Sequence, residues 1–202
     1  MRESKAKKRI LETGEAMFKQ VGYANLNVND VAHQAGVSIG TLYYHFPNGK
    51  QSILMEIRRQ TAEHYEMRFA ERLNKERIYE TASFNEGLEL LLKTLIDIHR
   101  EQRLVLAATE IEVLSNLTTY SQLAESVNVR SFMESDARPV TDVLQTLLDM
   151  HPGENLTLMG REATLNKVVD VLIHRFVYVE PLFGSEQEFI DTLTKITRAL
   201  LT

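Results

Sequence analysis

Residues 39–46 carry a set of side chains that suits contact with nucleic acid. Leu42 and Phe46 are four positions apart, so on a helix both would face the core. The largely outward positions of the same helix are then Ile39, Gly40, Thr41, Tyr43, Tyr44 and His45. Exposed aromatic side chains beside Thr and Gly interact poorly with water, whereas they can contact base edges and phosphates. The alternative is a small helical hairpin with a solvated face.

Lys50 gives the same indication by a different argument. It lies in the first turn of a predicted helix that Asn48 would cap, with Gln51 three residues further on. The helix dipole disfavours a cation at this end. A bound phosphate would remove the conflict, so Lys50 is a candidate phosphate contact.

Two further helix starts precede Lys50 and would position residues 39–46. Asn27 is a good N-cap, because its side-chain oxygen can accept a hydrogen bond from an amide of the first turn. Asp30 can return a bond to the cap and favours the positive end of the helix dipole. Leu26 and Val31 stand where a hydrophobic staple closes. These residues predict a short helix that begins directly after Asn27.

Ser38 repeats the capping arrangement for the next helix, with Val37 and Leu42 as its staple pair. Gly36, between the two helices, can take the left-handed conformation that ends the first. Two short helices that meet at a Gly-containing turn have the layout of a DNA-binding helix-turn-helix. The sequence therefore predicts that the partner is a DNA duplex rather than a substrate.

These residues resemble the TetR family of bacterial and archaeal repressors, over about the first quarter to third of the chain. The matching positions are Arg9-Ile10-Leu11, Phe18, Gly22-Tyr23, Asp30-Val31-Ala32, residues 35–46 and Lys50. Leu26 and Asn27 depart from the pair of hydroxyl residues that the family usually has, although Asn27 keeps the capping role. Gly14 stands where Ala is usual, and a helical Gly costs about 1 kcal/mol against Ala.

The resemblance implies an all-α protein with a three-helix DNA-binding head, which holds the helix-turn-helix, and a C-terminal helical ligand-binding and dimerisation domain. The expected boundaries are residues 1–48 for the head, 49–73 for a connecting helix and 74–202 for the C-terminal domain. The expected function is that of a homodimeric transcriptional regulator, a repressor that a small-molecule effector releases from a palindromic DNA operator.

The resemblance also assigns roles to matching positions. Base edges are expected to be contacted by Ile39, Gly40 and Tyr44, and Ser38 belongs to the same DNA-binding set. Phosphates are expected to be held by Thr41, Tyr43, His45 and Lys50, with Asn27 and Asn29 near the start of the preceding helix.

Composition and charge agree with a DNA-binding head on an acidic domain. The chain has 202 residues, 44% of them apolar, and a net charge of −5. Residues 1–60 contain nine Lys or Arg and five Asp or Glu, giving +4, and the remainder carries −9. Residues 5–9 form a basic cluster that either reaches phosphates as a flexible arm or is a solvated helix start.

Several other functions are disfavoured by what the sequence lacks. Without cysteine there is no disulfide, thiolate nucleophile or Cys-based zinc site. We find no Gly-rich phosphate loop, nucleophile elbow or His-Glu metal motif, so an enzyme is not expected. No secretory leader or apolar run of membrane length is evident, which predicts a cytoplasmic protein without a membrane partner. The remaining alternative is a helical interaction protein that does not bind DNA.

The remaining helices are predicted from apolar periodicity and breakers. They are expected at about 4–21, 49–73, 83–100, 104–117, 139–150, 158–179 and 186–200, with an uncertain region at 118–135 and a loop at 151–155. Pro139 is expected to open the helix at 139, and Ser185-Glu186-Gln187-Glu188 to cap the last one. The apolar residues of 165–179 nearly encircle the helix, which predicts burial on more than one side.

The resemblance implies that the last two helices form a four-helix dimer interface, and the alternative is a monomeric core pair. The expected interface residues are Val169, Leu172, Phe176, Phe189, Leu193 and Ile196.

An effector pocket is expected among polar groups on apolar helices, although each is as compatible with a core or surface role. The expected pocket residues are His99, Arg103, Thr109, Glu110, His174 and Tyr178, and weaker candidates are Tyr120, Arg130 and Arg175. His99 and His174 are too far apart in sequence to predict a metal site, and no cofactor is expected.

Overall fold

The computed structural model describes residues 4–115, 129–179 and 184–202, and these residues are all-α, with no strand in the described ranges. The helices are α1 (Lys5–Val21), α2 (Val28–Gln34), α3 (Ile39–His45), α4 (Lys50–Arg72), α5 (Lys75–Tyr79), α6 (Phe84–Ser115), α7 (Val129–Met150), α8 (Glu162–Tyr178) and α9 (Glu186–Leu201). A single 3₁₀ turn, Pro152–Glu154, follows α7. Within the described residues, no helix is both long and apolar enough to cross a membrane.

The chain forms two compact units. The first comprises residues up to Ala62 and those of α6 from Leu104 onward, whereas the second comprises Glu63–Arg103 and the described residues from 129 onward. Both α4 and α6 therefore contribute residues to both units. The domain boundaries expected from the sequence remain a prediction.

The first unit has a core formed mainly by α1, α2, α3 and α4. Its members are buried apolar side chains that include Ile10, Phe18, Val31, Leu42, Phe46 and Ile53, together with Val105 and Ala108 of α6. Gly22 ends α1 with a φ of 76°, a conformation that favours glycine, and its N–H donates to the carbonyl of Phe18. The core holds α2 and α3 in place, so the helix-turn-helix is built on a rigid support.

The second unit has its own core, in which large apolar side chains of α6, α7, α8 and α9 pack together. These include Phe84, Leu88, Leu92, Leu147, Ile173, Phe176, Phe189 and Leu193. The last helix begins with the predicted capping box, since Ser185 Oγ accepts from the Glu188 N–H and a Glu188 carboxylate oxygen accepts from the Ser185 N–H. That prediction is confirmed.

Several helix boundaries differ from those expected. One continuous helix, α6, replaces the two predicted at 83–100 and 104–117, because Glu101, Gln102 and Arg103 are good helix formers without a breaker. Pro139 lies inside α7 and does not open it. A proline inside a helix costs one backbone hydrogen bond, which packing of the later turns can offset. Residues 116 and 117 of the predicted helix at 104–117, and residues 118–128 of the uncertain region, lie outside the described residues.

Candidate nucleic-acid interface

The turn between α2 and α3 has the capping geometry that the sequence predicts. Asn27 Oδ1 accepts from the Asn29 N–H at 2.9 Å, and Ser38 Oγ accepts from the Thr41 N–H at 3.0 Å. Gly36 has a φ of 63°, which is the left-handed conformation expected at the end of α2. The Arg9 guanidinium donates to the Gly36 carbonyl at 3.0 Å and ties α1 to this turn. The start of α3 is therefore held by the Ser38 cap and by the Arg9 contact to the turn before it.

The two faces of α3 are sharply different. Leu42 and Phe46 are buried in the core of the first unit, as predicted. Tyr44 is 81% exposed, and Ile39 and Tyr43 are also exposed. An anchored apolar face and an outward aromatic face are what a recognition helix needs, because its register must be fixed before its side chains can select bases.

The smaller groups on α3 are partly engaged within the chain. Thr41 Oγ1 lies 2.9 Å from Ser38 Oγ, and the His45 Nε2 atom lies 3.4 Å from Ser4 Oγ. The rings of Tyr44 and His45 meet edge to face with their centroids 5.0 Å apart. Gly40 leaves open space, since the atom nearest to a Cβ placed there would be Ser38 Oγ at 3.8 Å. The backbone of α3 can therefore be approached closely at its first turn.

Lys50 is better satisfied within the chain than the sequence suggests. Its Nζ atom lies 3.4 Å from the carbonyl oxygens of Tyr23 and Ala24, and 4.8 Å from the centroid of the Tyr23 ring. Two carbonyls and an aromatic face therefore offset the unfavourable dipole of α4. The conflict with the dipole is thus offset within the chain, and a phosphate contact by Lys50 remains a prediction.

The start of α4 also differs in detail. The helix begins at Lys50, and Gly49 precedes it with a φ of 58°. The Ser52 hydroxyl accepts from the Asn48 N–H at 3.0 Å, so the observed capping contact runs in the direction opposite to the one expected. A Cβ on Gly49 would lie 3.3 Å from Val28 Cγ1 and 3.5 Å from Tyr43 Cε1. Glycine is required here both by conformation and by space.

The basic cluster of residues 5–9 belongs to α1, which corrects the flexible-arm interpretation. Lys7 Nζ pairs with Glu56 Oε1 at 2.9 Å, and Lys8 Nζ lies 3.7 Å from Glu12 Oε1. The hydrogen bond from Arg59 lowers the pKa of the Glu56 carboxyl against the raising effect of its burial, and Lys7 lowers that pKa further. This pair joins α1 to α4.

Comparison with known proteins decides the family of this segment. Residues 10–57 match the family model described as bacterial regulatory proteins of the tetR family. Residues 10–57 are therefore similar to TetR-family regulators. The matched residues include all of α2 and α3 and the start of α4.

The chain is also similar to known regulators in part of its sequence and to solved structures in its fold. The HTH-type transcriptional regulator LmrA of Bacillus subtilis is 29% identical over 90 residues, which is 45% of this chain and 45% of LmrA. The match thus spans less than half the length of that relative. A TetR-family regulator from Mesorhizobium loti has a TM-score of 0.65 at 18% identity, covering 100% of this chain and 97% of its own. A regulator from Saccharomonospora viridis in complex with choline has a TM-score of 0.56 at 22% identity, covering 98% and 95%.

Three of the six expected effector residues lie together in the second unit. The ring centroids of His99 and His174 are 4.9 Å apart, and the Tyr178 ring stacks on His174 at 5.4 Å. Asp170 and Tyr65, which were not predicted from the sequence, also contact these rings. The spacing of Asp170 and His174, four positions apart on one helix, was the signal available for the first of them.

The other expected effector residues do not join this group. Arg103 is exposed in the second unit, and Glu110 is exposed in the first. The side chain of Thr109 lies outside the described residues, as do Tyr120 and the side chain of Arg130, and Arg175 is exposed. Two surface concavities of the second unit are lined mainly by charged side chains and by none of the six.

The expected dimer residues differ in how deeply they are buried in a single chain. Val169, Phe176, Phe189 and Leu193 are buried within a single chain, and the Phe176 and Phe189 rings stack with centroids 4.2 Å apart. These four side chains belong to the core of the second unit, and the expected dimer interface stays a prediction. Leu172 and Ile196 are half-buried. The outward side chains of α8 form a different stripe, consisting of Thr164, Lys167, Val171 and Arg175.

Proposed function

We propose that this protein is a homodimeric transcriptional repressor that binds a palindromic DNA operator and leaves it when a small molecule binds to the second unit. The observation that carries the DNA-binding part is the division of α3. Leu42 and Phe46 fix the helix in the core, whereas Ile39, Tyr43 and Tyr44 are exposed. Three large apolar or aromatic side chains exposed on so short a helix are unfavourably hydrated. Their insertion into a DNA groove would remove this apolar surface from water.

The contacts follow from where each group lies on α3. Ile39, Gly40 and Tyr44 read base edges in the major groove, and Ile39 suits the methyl group of thymine. Thr41, Tyr43 and His45 hold phosphates, as do Asn27, Asn29 and Lys50, and Ser38 presents the amides at the start of α3. A base-edge role for Tyr44 is supported by its 81% exposure, since nothing in the first unit needs to move for it to enter a groove.

Two copies related by a two-fold axis would place their α3 helices in successive major grooves. The half-sites are then roughly 34–36 Å apart, and the operator is an imperfect palindrome. The outward stripe of α8 supplies a surface for this assembly, because Val171 is a large apolar side chain exposed on it. The four residues buried in the core of the second unit support this surface from below.

The effector acts by preferring one conformation of the second unit. A shift from 1:99 to 99:1 needs about 5.5 kcal/mol of differential affinity, so the molecule must contact groups that differ between the two states. His99, His174 and Tyr178 are the proposed contacts, and they lie on α6 and α8. Since α6 contributes residues to both units, it is the proposed element through which effector binding changes the first unit. The proposal contains no catalytic step, and it places the protein in the cytoplasm with its DNA.

A gel-shift titration with the DNA upstream of the protein's own gene tests the DNA-binding part. We expect a retarded complex whose specific affinity falls roughly 5- to 150-fold for Tyr44→Ala, since a base contact is worth about 1–3 kcal/mol. A matched control is Tyr79→Ala, which makes the same substitution at an exposed Tyr on α5 of the second unit. It should not change the affinity for DNA.

The rival function is that of a helical interaction protein without DNA binding. It would give no complex with upstream DNA that survives excess nonspecific competitor, while the protein stays folded by circular dichroism. Footprinting that protected a single unsymmetrical half-site would instead remove the palindromic part of the proposal.

A further inference from the structure

His99, Asp170 and His174 bring metal-ligand atoms together in the second unit. His99 lies on α6, and Asp170 and His174 lie one turn apart on α8. Asp170 Oδ1 is 3.3 Å from His99 Nε2 and 3.6 Å from His174 Nε2. One ligand atom from each of the three residues lies within 4.8 Å of the other two. Two helices thus present two imidazoles and a carboxylate to one point.

The hydrogen bond between His99 and the Leu95 carbonyl determines which His99 nitrogen directs a lone pair at Asp170 and His174. Nδ1 lies 2.7 Å from the carbonyl oxygen of Leu95, and a carbonyl can only accept, so Nδ1 carries a proton. In a neutral ring, Nε2 is then an acceptor directed at the Asp170 carboxylate, which is also an acceptor. A hydrogen bond from the far nitrogen to a carbonyl is the arrangement that orients metal-binding histidines.

A cation between the His99 lone pair and the Asp170 oxygen, which are 3.3 Å apart, would be bound by both atoms. His174 directs its Nε2 atom to the same oxygen, and the two imidazole centroids are 4.9 Å apart. A single divalent cation uses both lone pairs and the carboxylate at once.

The distances fit a small tetrahedral ion. With Zn–N and Zn–O bonds of about 2.0–2.1 Å, ligand atoms on one edge of the tetrahedron are roughly 3.3 Å apart. The two distances to Asp170 are close to this value, and side-chain rotation can close the third edge. The Asp170 side chain is 47% exposed and that of His99 is 9% exposed. An ion can therefore enter from the solvent side and keep a water molecule as its fourth ligand.

We propose that His99, Asp170 and His174 bind one divalent first-row transition-metal ion of the Zn²⁺ type. Imidazole nitrogens suit Zn²⁺ and its neighbours, whereas Mg²⁺ and Ca²⁺ prefer all-oxygen sites. The Tyr65 ring meets His99 edge-on at 6.4 Å and the Tyr178 ring stacks on His174 at 5.4 Å, so both imidazoles are held in orientation. The bound ion would link α6 to α8 within the second unit. The ion would use the imidazoles of His99 and His174 that the proposed function assigns to the small molecule, so the two ligands would compete for them. The metal proposal does not depend on DNA binding.

The experiment is a calorimetric titration of the untagged full-length protein, stripped with a chelator, with Zn²⁺. We expect one ion per chain and no binding of Mg²⁺ under the same conditions. Titration with Co²⁺ should give the intense visible absorption of a four-coordinate site. The double variant His99→Gln/His174→Gln and the near-isosteric Asp170→Asn should each weaken Zn²⁺ binding by roughly a hundredfold or more, since even outer-shell changes cost 10–100-fold.

The matched control is His33→Gln, which removes an exposed histidine of α2 in the first unit and should leave Zn²⁺ affinity unchanged. Circular dichroism of every variant separates loss of ligands from loss of fold. The proposal is overturned if the folded wild type binds no Zn²⁺. It is equally overturned if the folded double variant binds Zn²⁺ as tightly as the wild type. Neither result bears on the gel-shift titration.

Discussion

Gly14 of α1 faces Ile53 of α4 at a distance that no larger residue could keep. A Cβ atom on Gly14 would lie 2.8 Å from Ile53 Cγ2, and both residues are buried in the first unit. The Cγ2 methyl is attached at the branched Cβ of Ile53, so it cannot swing away as the end of a long side chain would. The close approach of α1 to α4 thus determines the residue type at position 14.

Gly14→Ala should therefore destabilise the protein, although alanine is the better helix former. Overpacking a core costs about 1–3 kcal/mol, against a gain of about 1 kcal/mol in helix propensity. Urea unfolding of the two proteins measures the difference. The matched control is Gly40→Ala, another helical glycine, where the new Cβ has open space and unfolding should become slightly harder. An unfolding free energy that rises equally in both variants would show that α1 and α4 do not approach this closely.

The same pair shows what a sequence can and cannot predict. The caps at Asn27, Ser38 and Ser185 were predictable because each depends on groups within one helical turn. From the sequence alone, Gly14 was only a weak point of α1. Its neighbour Ile53 is distant in the chain, and propensity holds no information about distant neighbours.

The site residues divide in the same way. The exposure of Tyr44 followed from the spacing of Leu42 and Phe46, because a helix period fixes opposite faces. The approach of His99 to Asp170 depends on how α6 packs against α8, which periodicity does not specify. Phe176 was assigned to a partner because its helix is apolar all round. A large single-chain core satisfies that pattern equally well.

Lys50→Met separates a phosphate contact from a purely internal one. If the ammonium reaches a phosphate, affinity for all DNA sequences should fall and the slope of log K against log salt should decrease by about one unit. If it serves only the carbonyls of Tyr23 and Ala24, the salt slope should stay constant while thermal stability falls. Fluorescence anisotropy at several salt concentrations measures the slope. Lys75→Met, which changes the charge equally in the second unit, is the control.

Glu56→Gln should remove part of the pH dependence of stability. The lowered pKa of Glu56 in the folded protein means that its carboxylate stabilises the fold above the unfolded value of 4.5, and that this contribution is lost as pH falls through the lower folded pKa. Near neutral pH the variant should be less stable by about 1 kcal/mol or less, because the group is partly exposed. As pH falls below the unfolded value of 4.5, the stability of the variant should fall less steeply than that of the wild type.

Urea unfolding at a series of pH values gives both curves. Glu12→Gln is the matched control, since Glu12 is exposed and lies 3.7 Å from Lys8 in an i,i+4 pair that contributes little. If the unfolding free energies of Glu56→Gln and the wild type changed in parallel with pH, the Glu56 carboxylate, which joins α1 to α4 through Lys7, would not contribute to stability.

The dimer is best tested on the outward stripe of α8. Val171 is 62% exposed in one chain, so Val171→Glu should leave the fold intact and place two like charges at a self-complementary interface. We expect a folded monomer by sedimentation velocity. At equal protein concentration, this variant should bind a palindromic operator more weakly than the wild type does. Phe176→Glu, in contrast, would bury an unpaired charge in the core of the second unit and unfold the chain.

A second exposed apolar side chain provides the control. Ile111 of α6 is 60% exposed and lies in the first unit, so Ile111→Glu changes charge and apolar surface equally but should leave the dimer unaltered. If Val171→Glu sediments as the wild-type dimer does, the interface does not include this face of α8. If both variants dissociate, the loss reflects net charge rather than position, because only a contact-specific effect distinguishes two such similar substitutions.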